Sequence, residues 1–334
     1  MSAAGLPPLA MSMGDPAGVG PAITVQAWKA LRNEPDVAFY VVGAPGLYSP
    51  HCPVTEIATP GETGSAFADA LPVLPVGSLP EIRPGTPEPA AAPAIIAAIE
   101  TGLAHALSGE AAGLVTNPIN KALLYEAGFR HPGHTEFIAE LCKRATGTPA
   151  RPVMMLTGGG LRVALATIHQ PLASVPGSLS REGLVELGTI VDAALKSDFG
   201  ILRPRIAFSG LNPHAGEGGA IGREEIDIIN PAADLLRSQG VDISNARPGD
   251  TVFAEALSGT YDAVIAMTHD QGLIPVKTLD FWGGVNMTLG LPIVRTSPDH
   301  GTGYDAAARG DARPDSLIAA IRAAALVARN RRAA

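Results

Sequence analysis

LAMSMGDPAGVGPAITVQAWKAL, residues 9–31, sets the architecture. Residues 9–12 form a short apolar run of buried-strand length, which Gly14, Asp15, Pro16, Gly18 and Gly20 then break. From Ile23 to Leu31 the apolar residues recur at helical spacing, so the stretch predicts strand, loop, helix. The same alternation continues downstream. Strands are expected at 37–42, 113–116, 206–209 and 263–266, and helices at 91–107, 181–196, 224–239 and 315–329. In the helix at 91–107, Ile95, Ile96, Ile99 and Leu103 share one face. Strands alternating with helices predict an α/β fold with a mainly parallel sheet covered on both faces. One antiparallel pair interrupts it: 153–156 and 161–166 flank Thr157-Gly158-Gly159-Gly160 and read as a hairpin. Further strands are expected at 284–288 and 293–295. Residues 50–93, rich in Pro, Ala and Gly, read as an excursion or linker.

Composition narrows the classes. The chain has 334 residues, 46% apolar and 17% charged, enough for a packed core and wrong for a disordered chain. Its 24 Lys and Arg against 32 Asp and Glu give a net charge of −8, which repels nucleic acid and anionic membranes. An anionic ligand therefore requires a local cationic cluster. Cys52 and Cys142 form no CxxC pair, so no thiolate zinc site or disulfide framework is expected. No leader or membrane-spanning pattern is read at the start of the chain, and a cytoplasmic location is expected.

The polar residues concentrate at predicted strand ends. His169, His214 and His269 each follow a short apolar run, at the edge where open α/β sheets bind ligands. Together they suit a divalent transition metal with open coordination positions; any one of them alone reads first as a structural histidine. A second set is basic and polar: His134, Thr135, Lys277, Asn286 and Arg295. Set among apolar residues, its cations suggest a partly buried anion pocket, with a solvated or ion-paired face as the other reading. Asp250 and Asp270 are candidate partners or proton acceptors. Residues 14–21 lack the Gly-Lys-Ser/Thr of a P-loop, and Gly18-x-Gly20 meets Ile23 where a dinucleotide fingerprint requires Gly or Ala. His300, Gly301, Thr302 and Gly303 read either as backbone donors for a cofactor or as a simple turn.

Nearly the whole chain resembles the 4-hydroxythreonine-4-phosphate dehydrogenase family of vitamin B6 biosynthesis. The resemblance rests on MGDPAGVGP (13–21), TNPINK (116–121), GHTEF (133–137), MMLTGGGLRVALATIHQPL (154–172), LNPHAGEGG (211–219), HDQG (269–272) and GVNMTLGLPIVRTSPDHGT (284–302). It implies two α/β/α domains around a cleft, like those of isocitrate and isopropylmalate dehydrogenases, in a homodimer with a shared active site. A larger domain of residues 1–130 and 255–334 would carry the NAD loop, and 131–254 would form a second domain with the dimer contacts. The metal ligands implied are His169, His214 and His269, with His269 coming from the neighbouring subunit. His134, Thr135, Lys277, Asn286 and Arg295 would bind substrate, and His300, Gly301 and Thr302 would bind the cofactor.

The implied reaction is NAD-dependent oxidation of 4-phosphooxy-L-threonine followed by loss of CO2, giving 3-amino-2-oxopropyl phosphate. The implied cofactors are NAD and a divalent metal: zinc first, with magnesium, cobalt, manganese or nickel as alternatives. Lys277, Asp250 and Asp270 are candidates for proton transfer. Three departures from the family pattern stand out: Ala22 after GVGP, Thr268 before His269, and residues 303–308 after HGT. They leave open a paralogue acting on 4-phospho-D-threonate or 4-phospho-D-erythronate. A non-catalytic phosphometabolite-binding protein is the alternative from another class.

Overall fold

The computed structural model describes residues 5–126 and 133–333. Its strands are β1 (Leu9–Ser12), β2 (Phe39–Gly43), β3 (Val54–Glu56), β4 (Leu71–Pro75), β5 (Leu114–Thr116), β6 (Val153–Gly158), β7 (Leu161–Leu165), β8 (Arg205–Phe208), β9 (Asp242–Ile243), β10 (Ala263–Ala266), β11 (Val285–Leu289) and β12 (Arg295–Pro298). The chain divides into two compact units, Met1–Pro152 with Leu291–Ala333, and Val153–Gly290.

In the first unit the strand order is β3-β4-β2-β1-β5-β12, every pair parallel. β1, β2 and β5 are buried throughout, as parallel strands covered on both faces must be. From β1 the chain steps to one side through helix Gly20–Leu31, and it returns to the other side of β1 through helix Ala92–Ser108. With right-handed crossovers this reversal puts the two helices on opposite faces. It also makes the carboxyl ends of β1 and β5 a topological switch point. The helical stretch Pro89–Ser108 is long and apolar enough to cross a membrane, but its Ile95, Ala98, Ile99 and Leu103 are buried and Ala92–Ser108 packs on β1 and β2, so it serves as a core helix. Residues 50–93 hold β3 and β4, both paired into the sheet, so the stretch is an integral part of the unit.

In the second unit the order is β11-β6-β7-β10-β8-β9. β6 and β7 form the antiparallel hairpin expected, turning through Gly159 (φ +56°) and Gly160 (φ +88°). β11 adds to β6 antiparallel, while β7-β10-β8-β9 run parallel.

The division points differ from those expected. The position 130/131 lies outside the described residues, and the divisions fall at 152/153 and 290/291 instead of 130/131 and 254/255. Helix His134–Thr146 packs on Ala92–Ser108 in the first unit. β10, helix His269–Leu279 and β11 are joined to β6 and β7 in the second. Backbone pairing decides membership here, and nothing in residues 255–290 announces its partner strand.

Helix His269–Leu279 approaches β7 at Gly272, where an added Cβ would lie 2.4 Å from Leu165 Cδ2 and 3.1 Å from Val163 Cγ1. Gly272→Val should destabilise the protein by about 1–3 kcal/mol through overpacking. A melting temperature unchanged from wild type would contradict this packing.

Candidate active site

β7, β10 and β8 are adjacent and parallel, so their carboxyl ends share one edge. His169 follows β7, His269 opens the helix after β10, and His214 follows β8. The rings of His169 and His269 lie 5.3 Å apart, centroid to centroid. His269 Nδ1 lies 2.8 Å from Asp270 Oδ1. A neutral His269 donating from Nδ1 presents the Nε2 lone pair outward, the usual arrangement of a metal-ligating imidazole. Its helix start is fixed by a capping box. Thr268 Oγ1 accepts from Gln271 N (3.4 Å) and Gln271 Oε1 accepts from Thr268 N (3.1 Å). Gln271 Nε2 also donates to Gly210 O (3.0 Å), which ties the ends of β10 and β8 together.

His214 is held differently. His214, Ala215 and Glu217 have φ of 50°, 53° and 42°, left-handed conformations that non-glycine residues adopt at a cost. The turn is anchored by Asn212, whose backbone N and Nδ2 both donate to the buried Glu225 carboxylate (2.8 and 3.0 Å). Gly216 fits only as glycine, since a Cβ would lie 2.7 Å from Glu225 Oε2. His214 is exposed, and among the described residues of one chain no three His, Cys, Asp or Glu side chains form a metal-holding group.

Lys277 lies eight residues after His269 on the same helix, hence on the same face, half-buried, with Nζ 5.6 Å from the Phe281 ring centroid. Asn286 sits in β11, where its buried Oδ1 has no hydrogen-bond partner among the described residues. Asp270 is exposed and engaged by His269; Asp250 is exposed in the turn before helix Val252–Leu257.

The first unit holds a cationic cluster. Arg295, 4% exposed, donates from Nη2 to Thr116 Oγ1 at the end of β5 (2.8 Å). Burial pulls its pKa down to about 10, partly offset by Glu136. His134 begins helix His134–Thr146, with Thr135 beside it, and its Nε2 is buried with no hydrogen-bond partner among the described residues. Burial first, then Arg295 and Lys121, hold the His134 pKa well below the usual imidazole range, so the ring is neutral. Lys121 Nζ and Glu136 Oε2 crowd Gly133 so closely that a Cβ there would lie 3.1 and 2.5 Å from them. Two cations and a neutral imidazole with an open buried nitrogen are chemically suited to an anion.

His300, Gly301 and Thr302 lie in the loop after β12, on the carboxyl edge that holds the β1/β5 switch point. Thr302 O accepts from Val19 N (2.8 Å), and Gly18 has no room for a Cβ, which would lie 2.7 Å from that oxygen. The loop after β1 thus does have a close-approach glycine, but it serves contact with another loop.

Sequence reasoning missed Lys121, Thr116, Glu136 and the left-handed turn at His214. Lys121 and Thr116 are the ends of TNPINK, whose Asn-Pro turn returns the chain to the end of β5. That turn was the available signal.

Residues 37–324 match the family model described as pyridoxal phosphate biosynthetic protein PdxA. The chain belongs to this family. It is 56% identical over 328 residues to the 4-hydroxythreonine-4-phosphate dehydrogenase of Caulobacter vibrioides, covering 97% of this chain and 98% of the relative. It is 53% identical to that of Maricaulis maris, over 97% and 98%. Among solved structures, the 4-hydroxythreonine-4-phosphate dehydrogenase of Klebsiella pneumoniae superposes with a TM-score of 0.86 at 37% identity, covering 98% and 99% of the two chains. A terephthalate 1,2-cis-dihydrodiol dehydrogenase from Burkholderia xenovorans superposes at 0.66 with 29% identity, over 95% and 97%. The PdxA fold is therefore shared by this chain, and its curated relatives are oxidoreductases.

The buried His134 sets a pH dependence. Its folded pKa is depressed, so below the unfolded value of about 6.5 the unfolded chain binds a proton that the folded one refuses. The stability it contributes is whole above about pH 6.5 and falls as pH drops below it. Urea midpoints should fall more steeply with acid in wild type than in His134→Gln. Equal slopes would contradict the burial argument.

Proposed function

We propose that the protein is a metal- and NAD-dependent dehydrogenase of 4-phosphooxy-L-threonine, working as a cytoplasmic homodimer in pyridoxal phosphate biosynthesis. It would oxidise the C3 hydroxyl and release CO2 to give 3-amino-2-oxopropyl phosphate. The observation that carries the reading is the buried Arg295 beside neutral His134, whose open Nε2 awaits a polar partner. Arg295, Lys121, His134 and Thr135 hold the phosphate. The names of the curated relatives support the substrate.

The donor set of the second unit fits a metal. Its candidate ligands are imidazoles, one of them hydrogen-bonded to a carboxylate, a donor set that favours zinc over oxygen-preferring magnesium. A divalent ion there supplies Lewis acidity, which lowers the hydroxyl pKa, polarises the ketone and stabilises the enolate left by decarboxylation. From the pairing of His169 and His269 in one chain we infer that His214 is the ligand a second copy contributes, where the resemblance implies His269. Its exposure on a rigid, Glu225-anchored turn suits donation. Lys277 holds the substrate carboxylate and returns a proton to the carbon that loses CO2. NAD, the hydride acceptor, is held by the loop of His300, Gly301 and Thr302.

The test is NADH formation by the zinc-loaded protein with 4-phosphooxy-L-threonine, 4-phospho-D-threonate and 4-phospho-D-erythronate, with and without chelator. Chelator-sensitive turnover, fastest with 4-phosphooxy-L-threonine, is expected. Preference for a threonate or erythronate would reassign the substrate, and no turnover with any of them would overturn the reading. Arg295→Ala should lower kcat/KM by roughly 30- to 1,000-fold, about 2–4 kcal/mol, mainly through KM for the phosphorylated substrate. An unchanged KM would remove Arg295 from the phosphate site.

A further inference from the structure

Three loops meet at the carboxyl edge of the first unit, and one phenol joins them. Tyr304 opens the short helix Tyr304–Arg309 that follows His300-Gly301-Thr302-Gly303. Its Oη donates to Asp15 Oδ2 in the loop after β1 (2.5 Å) and accepts from Asn120 Nδ2 in the loop after β5 (2.9 Å). It also hydrogen-bonds the Thr302 side chain in its own loop. Asp15 is 1% exposed, and its other oxygen accepts from Ala17 N (3.0 Å). The backbones are equally close: Val19 N donates to Thr302 O (2.8 Å), and Gly303, at φ +57°, would place a Cβ 2.9 Å from Val19 Cγ1. Burial and Asp15 push the phenol pKa up to about 12, so it remains a donor throughout the neutral range.

We propose that Tyr304 is a positioning residue for the nucleotide cofactor: its hydroxyl locks the loop of His300, Gly301 and Thr302 onto Asp15 and Asn120, and so sets NAD affinity. The inference rests on the reading of that loop as the cofactor loop. A buried carboxylate deprived of its donor is costly, so removing the hydroxyl frees the loop to move away from Asp15. The ordering that the phenol provides in advance must then be supplied by NAD binding. Among the described residues Tyr304 Oη makes no hydrogen bond to Arg295, Lys121, His134 or Thr135, so the chemical step is expected to be spared.

The experiment compares wild type, Tyr304→Phe and Asn120→Ala by calorimetric titration with NAD and by steady-state kinetics. In Tyr304→Phe, the Kd and KM for NAD should rise about tenfold. kcat at saturating NAD and KM for the phosphorylated substrate should stay within about a factor of two. Asn120→Ala, which removes one of the bonds to the same hydroxyl, should weaken NAD about threefold and keeps the test available should Tyr304→Phe fail to fold. Non-additivity in the double variant is expected, because both act through one oxygen. NAD affinity unchanged in both variants, or kcat falling in parallel with affinity, would overturn the proposal. Wild-type protein that takes no NAD would bring down the cofactor reading and this proposal together. Normal wild-type binding with unchanged variants would bring down this proposal alone.

Discussion

The parallel register of β7, β10 and β8 is the constraint on which the second unit depends. Because the three strands run the same way and pair side by side, their carboxyl ends form one edge; His169 and His269 pair there, and His214 sits on the turn after β8. The antiparallel β6–β7 hairpin matters for the same reason: it turns the chain so that β7 enters parallel to β10. The capping box of Thr268 and Gln271, with the Gln271 bond to Gly210, then fixes the ends of β10 and β8 against each other. Histidines on rigid termini lose little freedom when they bind a ligand, the economy expected of a preorganised site.

The first unit meets a different physical demand. Burying a guanidinium is unfavourable, and the fall of the Arg295 pKa to about 10 records that cost. The hydrogen bond to Thr116 and the field of Glu136 are part of the offset. The neighbouring His134 responds to the same cations by staying neutral, which leaves a site short of negative charge. A phosphate is the proposed source of that charge, and with the chain's overall −8 a local cluster is what would let an anion approach.

Much of the fold was legible in the sequence because parallel strands buried on both faces read as short apolar runs. β10 lies where the apolar run Ala263–Ala266 predicts it, and the Gly-rich turn after Thr157 marks the hairpin. The division into units was not legible, since the antiparallel addition of β11 to β6 joins residues more than a hundred positions apart. The histidines showed themselves through their position after strands, whereas the left-handed turn that presents His214 did not. Its cause is Glu225, buried and bonded through Asn212, and a glutamate within a helical stretch gives no sign of burial. Asp15, Asn120 and Tyr304 likewise form a set only after folding brings three strand ends together.

In the proposed dimer, one chain would hold His169 and His269 as a pair and take His214 from a second copy. Subunit complementation tests it most directly. His169→Ala and His214→Ala, each inactive as a homodimer, are mixed under conditions that exchange subunits, and NADH formation is measured. With the pair on one chain and His214 on the other, each hybrid dimer has one site with all three histidines, and random exchange restores about a quarter of wild-type activity. Were all three histidines drawn from one chain, or His269 the donated one, every site in the hybrid would lack a ligand, and the absence of restored activity would contradict the account.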